Sequence, residues 1–391
     1  MTPIRDSLHG YIELNKEEKN ILDSHEMQRL RRIRQLGLSS LVYPSATHTR
    51  FQHSLGVMYI AGQFAESLEI DEKRTRELRI AGLLHDSGHG PFSHASELVA
   101  EKQGISHEEL SCKVVEKLED CYSADSERIK KIIKGELEIG QVVAGDIDAD
   151  RMDYLLRDAH SSGLQHGNID IETIIRLAQI DSRRLVFNHK AVQSLEALFT
   201  ARFHMIKSLY KHHAATIAEK MLQRSLENFL EERTVQELMS LDDYEAHCQL
   251  LNSDGSSERL YRRITDRELY KRSLVWDEDK ISREALESLE KRIENPRKVE
   301  EKIAEEAGVK PEEVILDKPQ TPSIKNIDVK IKKGGEVKSF SEISPIPKSL
   351  TQAEWRTVSV KVYTPEKHRE KVREPAENVL KDYSNVLGRY L

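Results

Sequence analysis

The sequence predicts a mainly α protein, with a helical core, a charged helical appendage and a small C-terminal α+β subdomain. Three observations predict it. Apolar residues recur at helical spacing from about residue 17 to 234, residues 280–308 form a highly charged helical stretch, and beyond Val314 the apolar period falls toward two. The expected division is therefore 1–235, 236–312 and 313–391.

The elements follow in order. In "EEKNILDSHEMQRLRRIRQLG", Ile21, Met27, Leu30, Ile33 and Leu36 share one face of a helix. "HSLGVMYIAGQFAESL" is apolar almost all round, as a buried helix is, and "KRTRELRIAGLLHD" leads into a histidine-rich bend. From Val192 to Glu232 no Pro or Gly interrupts the chain, which predicts one long helix. A turn follows at Asn252–Ser257, and "ENPRK" interrupts the charged helical stretch. "SIKNIDVKI" and "EVKSF" flank "KKGG" as a hairpin, "RTVSVKVYT" reads as a strand, and a last helix starts at Pro365. No internal repeat is present.

Composition excludes several classes. With 38% hydrophobic and 32% charged residues the chain is globular and heavily charged at its surface. No apolar run reaches the roughly eighteen residues of a membrane span, and "MTPIRDSLHGYIEL" lacks a signal-peptide layout, so a cytoplasmic protein is expected. Cys112, Cys121 and Cys248 have no C-x-x-C spacing, which leaves nitrogen and oxygen as the donors for any metal. A net charge of -7 argues against nucleic acid as an obligatory partner, while leaving room for a basic groove that collects small polyanions.

The densest chemistry is "LLHDSGHGPFSH", residues 83–94. Half of the 16 histidines precede residue 110: His9, His25, His48, His53, His85, His89, His94 and His107. His53 opens one apolar helix and His85–Asp86 closes another; a carboxylate from a third segment would complete a two-imidazole, two-carboxylate cation site. "GDIDADRMDYLLRD" offers Asp146, Asp148, Asp150, Asp153 and Asp158. Asp at a helix start is ordinarily a cap, and a lone His at a helix end is ordinarily structural. The order H…HD…D on successive helices is what points to a metal.

That order resembles the HD superfamily of metal-dependent phosphohydrolases. "DSLHGYIEL", "MQRLRRIRQLG", "VYPSATHTRFQHSLGVMY", "AGLLHDSGHGPFSH", "DIDADRMDYLLRDAHSSG" and "LFTARFHMIKSLYKHH" are similar, in order and spacing, to the SAM-and-HD-domain deoxynucleoside triphosphate triphosphohydrolases, over roughly residues 4–230. The resemblance implies an HD-domain helical core and cleavage of a dNTP to deoxynucleoside and inorganic triphosphate. It implies His53, His85, Asp86 and Asp150 as ligands of one divalent ion (Fe, Mn, Zn or Mg), with further Mg on the nucleotide phosphates, and makes Asp146 and Asp148 helix-start residues. Arg50, Arg151 and Arg202 would neutralise the triphosphate; His107 would be the acid for the departing 5′-oxygen, with His94 at the α-phosphate and His89 beside it. Gln35, Leu36 and Asp158 would hold the sugar 3′-hydroxyl, and Tyr154 and Tyr210 would flank sugar and phosphates, a tyrosine under C2′ excluding ribonucleotides.

The resemblance also implies a homo-oligomer, a dimer or tetramer, and an activating nucleotide (GTP or a dNTP) read by Asp23, Gln28 and Arg31. Later segments depart from that pattern. Glu172 and Thr173 stand where a base-contacting arginine is expected, and Asn188 precedes the retained Lys190. No SAM domain is expected ahead of the motifs. One alternative is an HD phosphatase acting on nucleoside monophosphates or other small phosphate esters, which needs the metal set but not Arg50, Arg151, Arg202 and Tyr210 together. Another is a single-stranded nucleic-acid-binding protein on the same scaffold, with "RLRRIRQLG" on the phosphates; the acidic net charge opposes it.

Overall fold

A computed structural model describes residues 2–167, 169–322 and 329–384. The architecture is mainly α. An N-terminal hairpin, β1 (Thr2–Asp6) with β2 (Gly10–Leu14), precedes the helices. The core helices are α1 (Arg50–Ser67), α2 (Glu72–Leu84), α3 (His94–Glu101), α4 (His107–Lys117), α5 (Ala149–Ser162), α6 (Val192–Met205) and α7 (His213–Phe229).

Helix α1 is the centre of the main apolar cluster. Phe51, Leu55, Val57, Met58, Ile60, Ala61, Phe64 and Ala65 are buried over most of its circumference, and Gln52, Gln63 and Glu66 occupy the one exposed face. At about 1.5–3 kcal/mol per large buried apolar side chain, this helix is a principal source of stability. Thr49 and Gln52 close a capping box at its start, which fixes where the helix begins and where Arg50 and His53 project.

The continuous helix expected over Val192–Glu232 is instead interrupted. α6 ends at Met205, a single π turn runs from Ile206 to Tyr210, and α7 starts after His212, which is extended and caps Ala214. Nothing in local propensity signals this. The Tyr43 hydroxyl donates to the Ser208 carbonyl, and the Tyr210 hydroxyl donates to Asp158, so tertiary partners offset the wider turn. The turn expected at Asn252–Ser257 is shorter, because a helix already starts at Gly255.

Strand pairing reaches across the chain. β3 (Ala178–Asp181) and β4 (Arg184–Asn188) form a hairpin that the sequence reading passed over. β4 pairs in parallel with β7 (Lys330–Lys333), whose antiparallel partner is β8 (Glu336–Ser339) across the expected Gly-Gly turn. Residues 323–328 of the "SIKNIDVKI" strand lie outside the described residues. The third sheet orders β5 (Lys271–Trp276), β9 (Val360–Thr364) and β6 (Ile315–Asp317). α8 (Pro296–Ala307), started by Asn295 and Pro296 at the expected break, and the final α9 (Arg369–Tyr383) pack on it. Leu286, Leu289 and Ile303 share one cluster with Val362, Val372 and Val379, on both sides of position 312/313. No helix among the described residues is long and apolar enough to cross a membrane.

Candidate metal centre

Three helices deliver the four donors that the sequence picked out. His53 leaves the first turn of α1 and is fully buried; His85 caps the end of α2, followed by Asp86; Asp150 leaves the first turn of α5. Donor atoms of His53, His85 and Asp86 all lie within 4.8 Å of one another. Asp150 Oδ1 is 2.9 Å from His53 Nε2 and 3.7 Å from His85 Nε2, and its side chain, 37% exposed, opens the cluster to solvent.

The hydrogen bonds around the imidazoles fix which nitrogen faces inward. His85 Nδ1 donates to the Gly82 carbonyl at 2.9 Å, leaving the buried Nε2 with no hydrogen-bond partner among the described residues, 3.3 Å from Asp86 Oδ1. His53 Nδ1 donates to Asp153 Oδ2 at 2.8 Å. A bare, buried imidazole nitrogen among carboxylates fits a cation site, and two nitrogens with two carboxylates suit a divalent ion of intermediate hardness. Burial alone would drive the proton off His53, but its bonds to Asp150 and Asp153 outweigh that and push its pKa up to about 10. Asp86 is held well below the usual carboxylate range: burial opposes, and the Arg50 and His85 charges prevail.

A second layer surrounds these donors. Asp86 Oδ1 lies 3.4 Å from His89 Nε2, and the His89 ring is stacked on His107. Glu97 on α3 bonds His107 Nδ1 through one oxygen and His94 Nδ1, at 3.1 Å, through the other. His94 is 66% exposed. α4 approaches closely because Gly88 has no side chain: a Cβ there would meet the His107 carbonyl oxygen at 2.3 Å. Phe92 and Ser93 adopt positive φ (59° and 51°), and this strained corner lets Ser93 Oγ bond the Arg34 carbonyl and receive Arg50 Nε at 2.9 Å.

The remaining expected residues fall into three places. Asp158, two turns beyond Asp150, accepts from the Tyr210 hydroxyl at 2.6 Å and from His48 Nε2 at 2.8 Å. Tyr154 meets Tyr210 edge to face at 6.3 Å, and the charge of Arg202 acts on both phenols. Gln35 and Leu36 are buried, and Gln35 Oε1 has no hydrogen-bond partner among the described residues. Arg50 is committed to Asp86, and Arg151 donates to the carbonyls of Gly145 and Asp146. Asp148 is the N-cap of α5, accepting from Arg151 N at 2.7 Å, and Asp146 lies just ahead of it. Asp23, Gln28 and Arg31 sit elsewhere: Gln28 receives Arg31 Nε at 2.9 Å, Arg31 lies 3.6 Å over the Phe51 ring, and Asp23 approaches Lys19.

Sequence reasoning did not select Asp153, Arg157, His9, His48, Ser93 or Glu97. For the first two a signal existed, since Asp150, Asp153, Tyr154, Arg157 and Asp158 fall at helical spacing on one side of α5.

A mainly helical scaffold that converges two imidazoles and two carboxylates from three helices defines the class, a hydrolase domain built to hold a divalent cation. The chain belongs to the HD-domain phosphohydrolases: the HD domain model matches residues 50–158 and the HD associated region model matches residues 169–384. It is 36% identical to an uncharacterized protein of Methanocaldococcus jannaschii, over 100% of this chain and 84% of that one. It is 33% identical to the deoxynucleoside triphosphate triphosphohydrolase SAMHD1 homolog of Dictyostelium discoideum, over 56% of this chain and 48% of that one. With Homo sapiens deoxynucleoside triphosphate triphosphohydrolase SAMHD1 it shares 28% identity over 78% of this chain and 53% of that one, so it spans about half the length of these two relatives. Among solved structures it is similar to a hypothetical protein from Aquifex aeolicus (TM-score 0.78, 27% identity, 96% and 99% of the two chains). It is also similar to a phosphohydrolase from Bacteroides thetaiotaomicron (TM-score 0.75, 27% identity, 94% and 100% of the two chains).

Proposed function

We propose that this protein hydrolyses deoxynucleoside triphosphates to deoxynucleoside and inorganic triphosphate, with His53, His85, Asp86 and Asp150 holding one divalent ion. The observation that carries the reading is the Tyr210–Asp158 hydrogen bond at 2.6 Å, on the same helix as Asp150 and two turns away. It sets a polar, aromatic pair suited to a sugar hydroxyl on the helix that carries Asp150, which a phosphate ester without a sugar does not require. The similarity to SAMHD1 enzymes supports it.

A bound divalent ion (Fe, Mn, Zn or Mg) supplies a polarised phosphoryl oxygen and a water whose pKa is lowered toward about 7 for zinc. The chain's own residues supply the rest. His107, whose protonated form Glu97 favours, serves as the acid for the 5′-oxygen; His89, pushed toward its neutral form, lies behind it, and His94 meets the α-phosphate. Gln35, Leu36 and Asp158 hold the 3′-hydroxyl, Tyr154 and Tyr210 bound the sugar, and Arg202, Arg50 and Arg151 face the phosphates, with additional Mg on the nucleotide. An activating nucleotide at Asp23, Gln28 and Arg31, in a dimer or tetramer, is the regulatory part of this reading, and the cytoplasm is its place.

A second reading has one observation in its favour. Arg50 and Arg151 are already engaged, with Asp86 and with backbone carbonyls, which leaves less positive charge for a triphosphate and favours a nucleoside monophosphate or small phosphate ester. Incubating the metal-loaded protein with each of the four dNTPs, with and without GTP, and separating the products decides between them. Inorganic tripolyphosphate is the expected product. Orthophosphate or pyrophosphate alone would overturn the first reading.

A further inference from the structure

We infer that the N-terminal hairpin is a working part of the cation site: His9, and Arg157 tied to Asp6, hold the buried Asp153 that fixes the orientation of His53. The inference rests on the proposed reading of His53 as a ligand. It concerns positioning residues that act through it, and gives a role to the "DSLHG" stretch that no substrate contact accounts for.

The chain of contacts is continuous and buried. Asp6 ends β1 and accepts the backbone N–H groups of Leu8 (2.9 Å) and His9 (3.0 Å), which shapes the hairpin turn. Its carboxylate also receives Arg157 Nη1 at 2.9 Å and Nη2 at 3.3 Å. Arg157, 1% exposed, turns its other edge to Asp153, with Nε 2.8 Å from Oδ2 and Nη2 2.9 Å from Oδ1. His9 Nε2 completes the set at 2.7 Å from Asp153 Oδ1. Asp153, fully buried, accepts from His53 Nδ1 as well.

Each part has a physical reason. An ionised carboxylate only accepts, so Asp153 keeps a proton of His53 on Nδ1 and turns Nε2 toward Asp150, where a bound ion would displace the proton shared between them. A buried carboxylate needs a compensating charge, which Arg157 provides, and Arg157 in turn needs Asp6 because its five donors exceed what one carboxylate takes. The network has room only because residue 56 of α1, one turn beyond His53, is glycine: a Cβ there would lie 1.8 Å from Asp153 Oδ1 and 2.6 Å from Arg157 Nη2. The His9 ring is further seated on Tyr59 of the same helix, 5.0 Å between centroids.

The test titrates Mn2+ into metal-stripped full-length protein by calorimetry, for wild type, His9→Ala and Asp153→Asn, with thermal melting of each in chelator. Wild type should bind one ion per chain at the cluster. Both variants should bind it 10- to 100-fold more weakly, the usual cost of removing a partner of a ligating imidazole. If the buried substitution at Asp153 prevents folding, the His9→Ala comparison alone decides. Folded variants with wild-type Mn2+ affinity, whatever their melting temperature, would overturn the inference and reduce the hairpin to a structural element. A wild-type protein that binds no ion would instead remove the reading on which it rests.

Discussion

The imidazole of His89 lies almost parallel to that of His107, their centroids 4.1 Å apart and their planes 15° from one another. Two cationic rings at that separation would repel, and the surroundings divide the charge between them. His89 is pushed down to about 3, by burial first and then by the Arg50 and His107 charges. His107 goes the other way: burial opposes, but the bond to Glu97 and the charges of Asp86 and Glu97 raise it above 6.5. The two rings are thus moved apart, His89 toward its neutral form and His107 toward its protonated form, and a ring favoured in its protonated form suits an acid.

A pH profile checks this. The alkaline limb of kcat/KM should lie above pH 6.5, and Glu97→Gln should move it to lower pH by removing the group that raises His107. The sign for stability is the same: the protonated form is favoured in the fold, so its contribution is complete below the unfolded value and disappears as pH rises through the folded one. An unmoved limb would clear His107 of the acid role, as would a normal turnover rate in His107→Gln.

Asp150→Ala should cut turnover at least about 100-fold and abolish retention of the divalent ion, while circular dichroism stays unchanged. Its side chain is 37% exposed, so the helix should survive the substitution. Retained activity after metal washing would exclude Asp150 as a ligand.

Tyr210→Ala should raise the ratio of ATP to dATP hydrolysis by about 10-fold, the scale expected when a small steric contact is lost. Tyr210→Phe keeps the ring, so it should keep the discrimination while giving up the bond to Asp158. Unchanged selectivity in both would place the sugar gate elsewhere.

Gly56→Ala should destabilise the protein by about 1–3 kcal/mol, because the added methyl collides with Asp153 and Arg157 and the core cannot move away. Chemical denaturation measures it, and a neutral effect would mean that this junction relaxes more easily than its packing indicates.

Arg224→Ala should destabilise by about 3–5 kcal/mol, since it strands the buried Glu300 of α8. Glu300 also receives the Leu316 N–H at 2.7 Å, so this pair ties α7 to the C-terminal sheet. A loss under about 1 kcal/mol would show that Glu300 finds another partner or takes up a proton.

What the sequence determined by itself was three of the proposed donors, His53, His85 and Asp86, and the helices that carry them. Apolar residues all round α1 can only be satisfied in a core, His53 opens that helix, and His85–Asp86 ends the next, so these residues had to lie at its buried ends. The mainly α class and the KKGG hairpin were legible for the same reason, since periodicity and turn chemistry are local properties. The π turn at Ile206–Tyr210 was not, because nothing between Val192 and Glu232 disfavours a helix and the interruption is offset by hydrogen bonds from Tyr43 and to Asp158. Nor was the choice among the five aspartates of residues 146–158 open to residue-by-residue reading. All are of one type within a single stretch; Asp148 caps α5 through its own neighbouring backbone, but only the approach of α1 sets Asp150 against His53 Nε2 and turns Asp153 to its Nδ1. Spacing can align side chains on one helix face; which of them is buried, and against which nitrogen, is decided by a neighbouring helix nearly a hundred residues away in sequence.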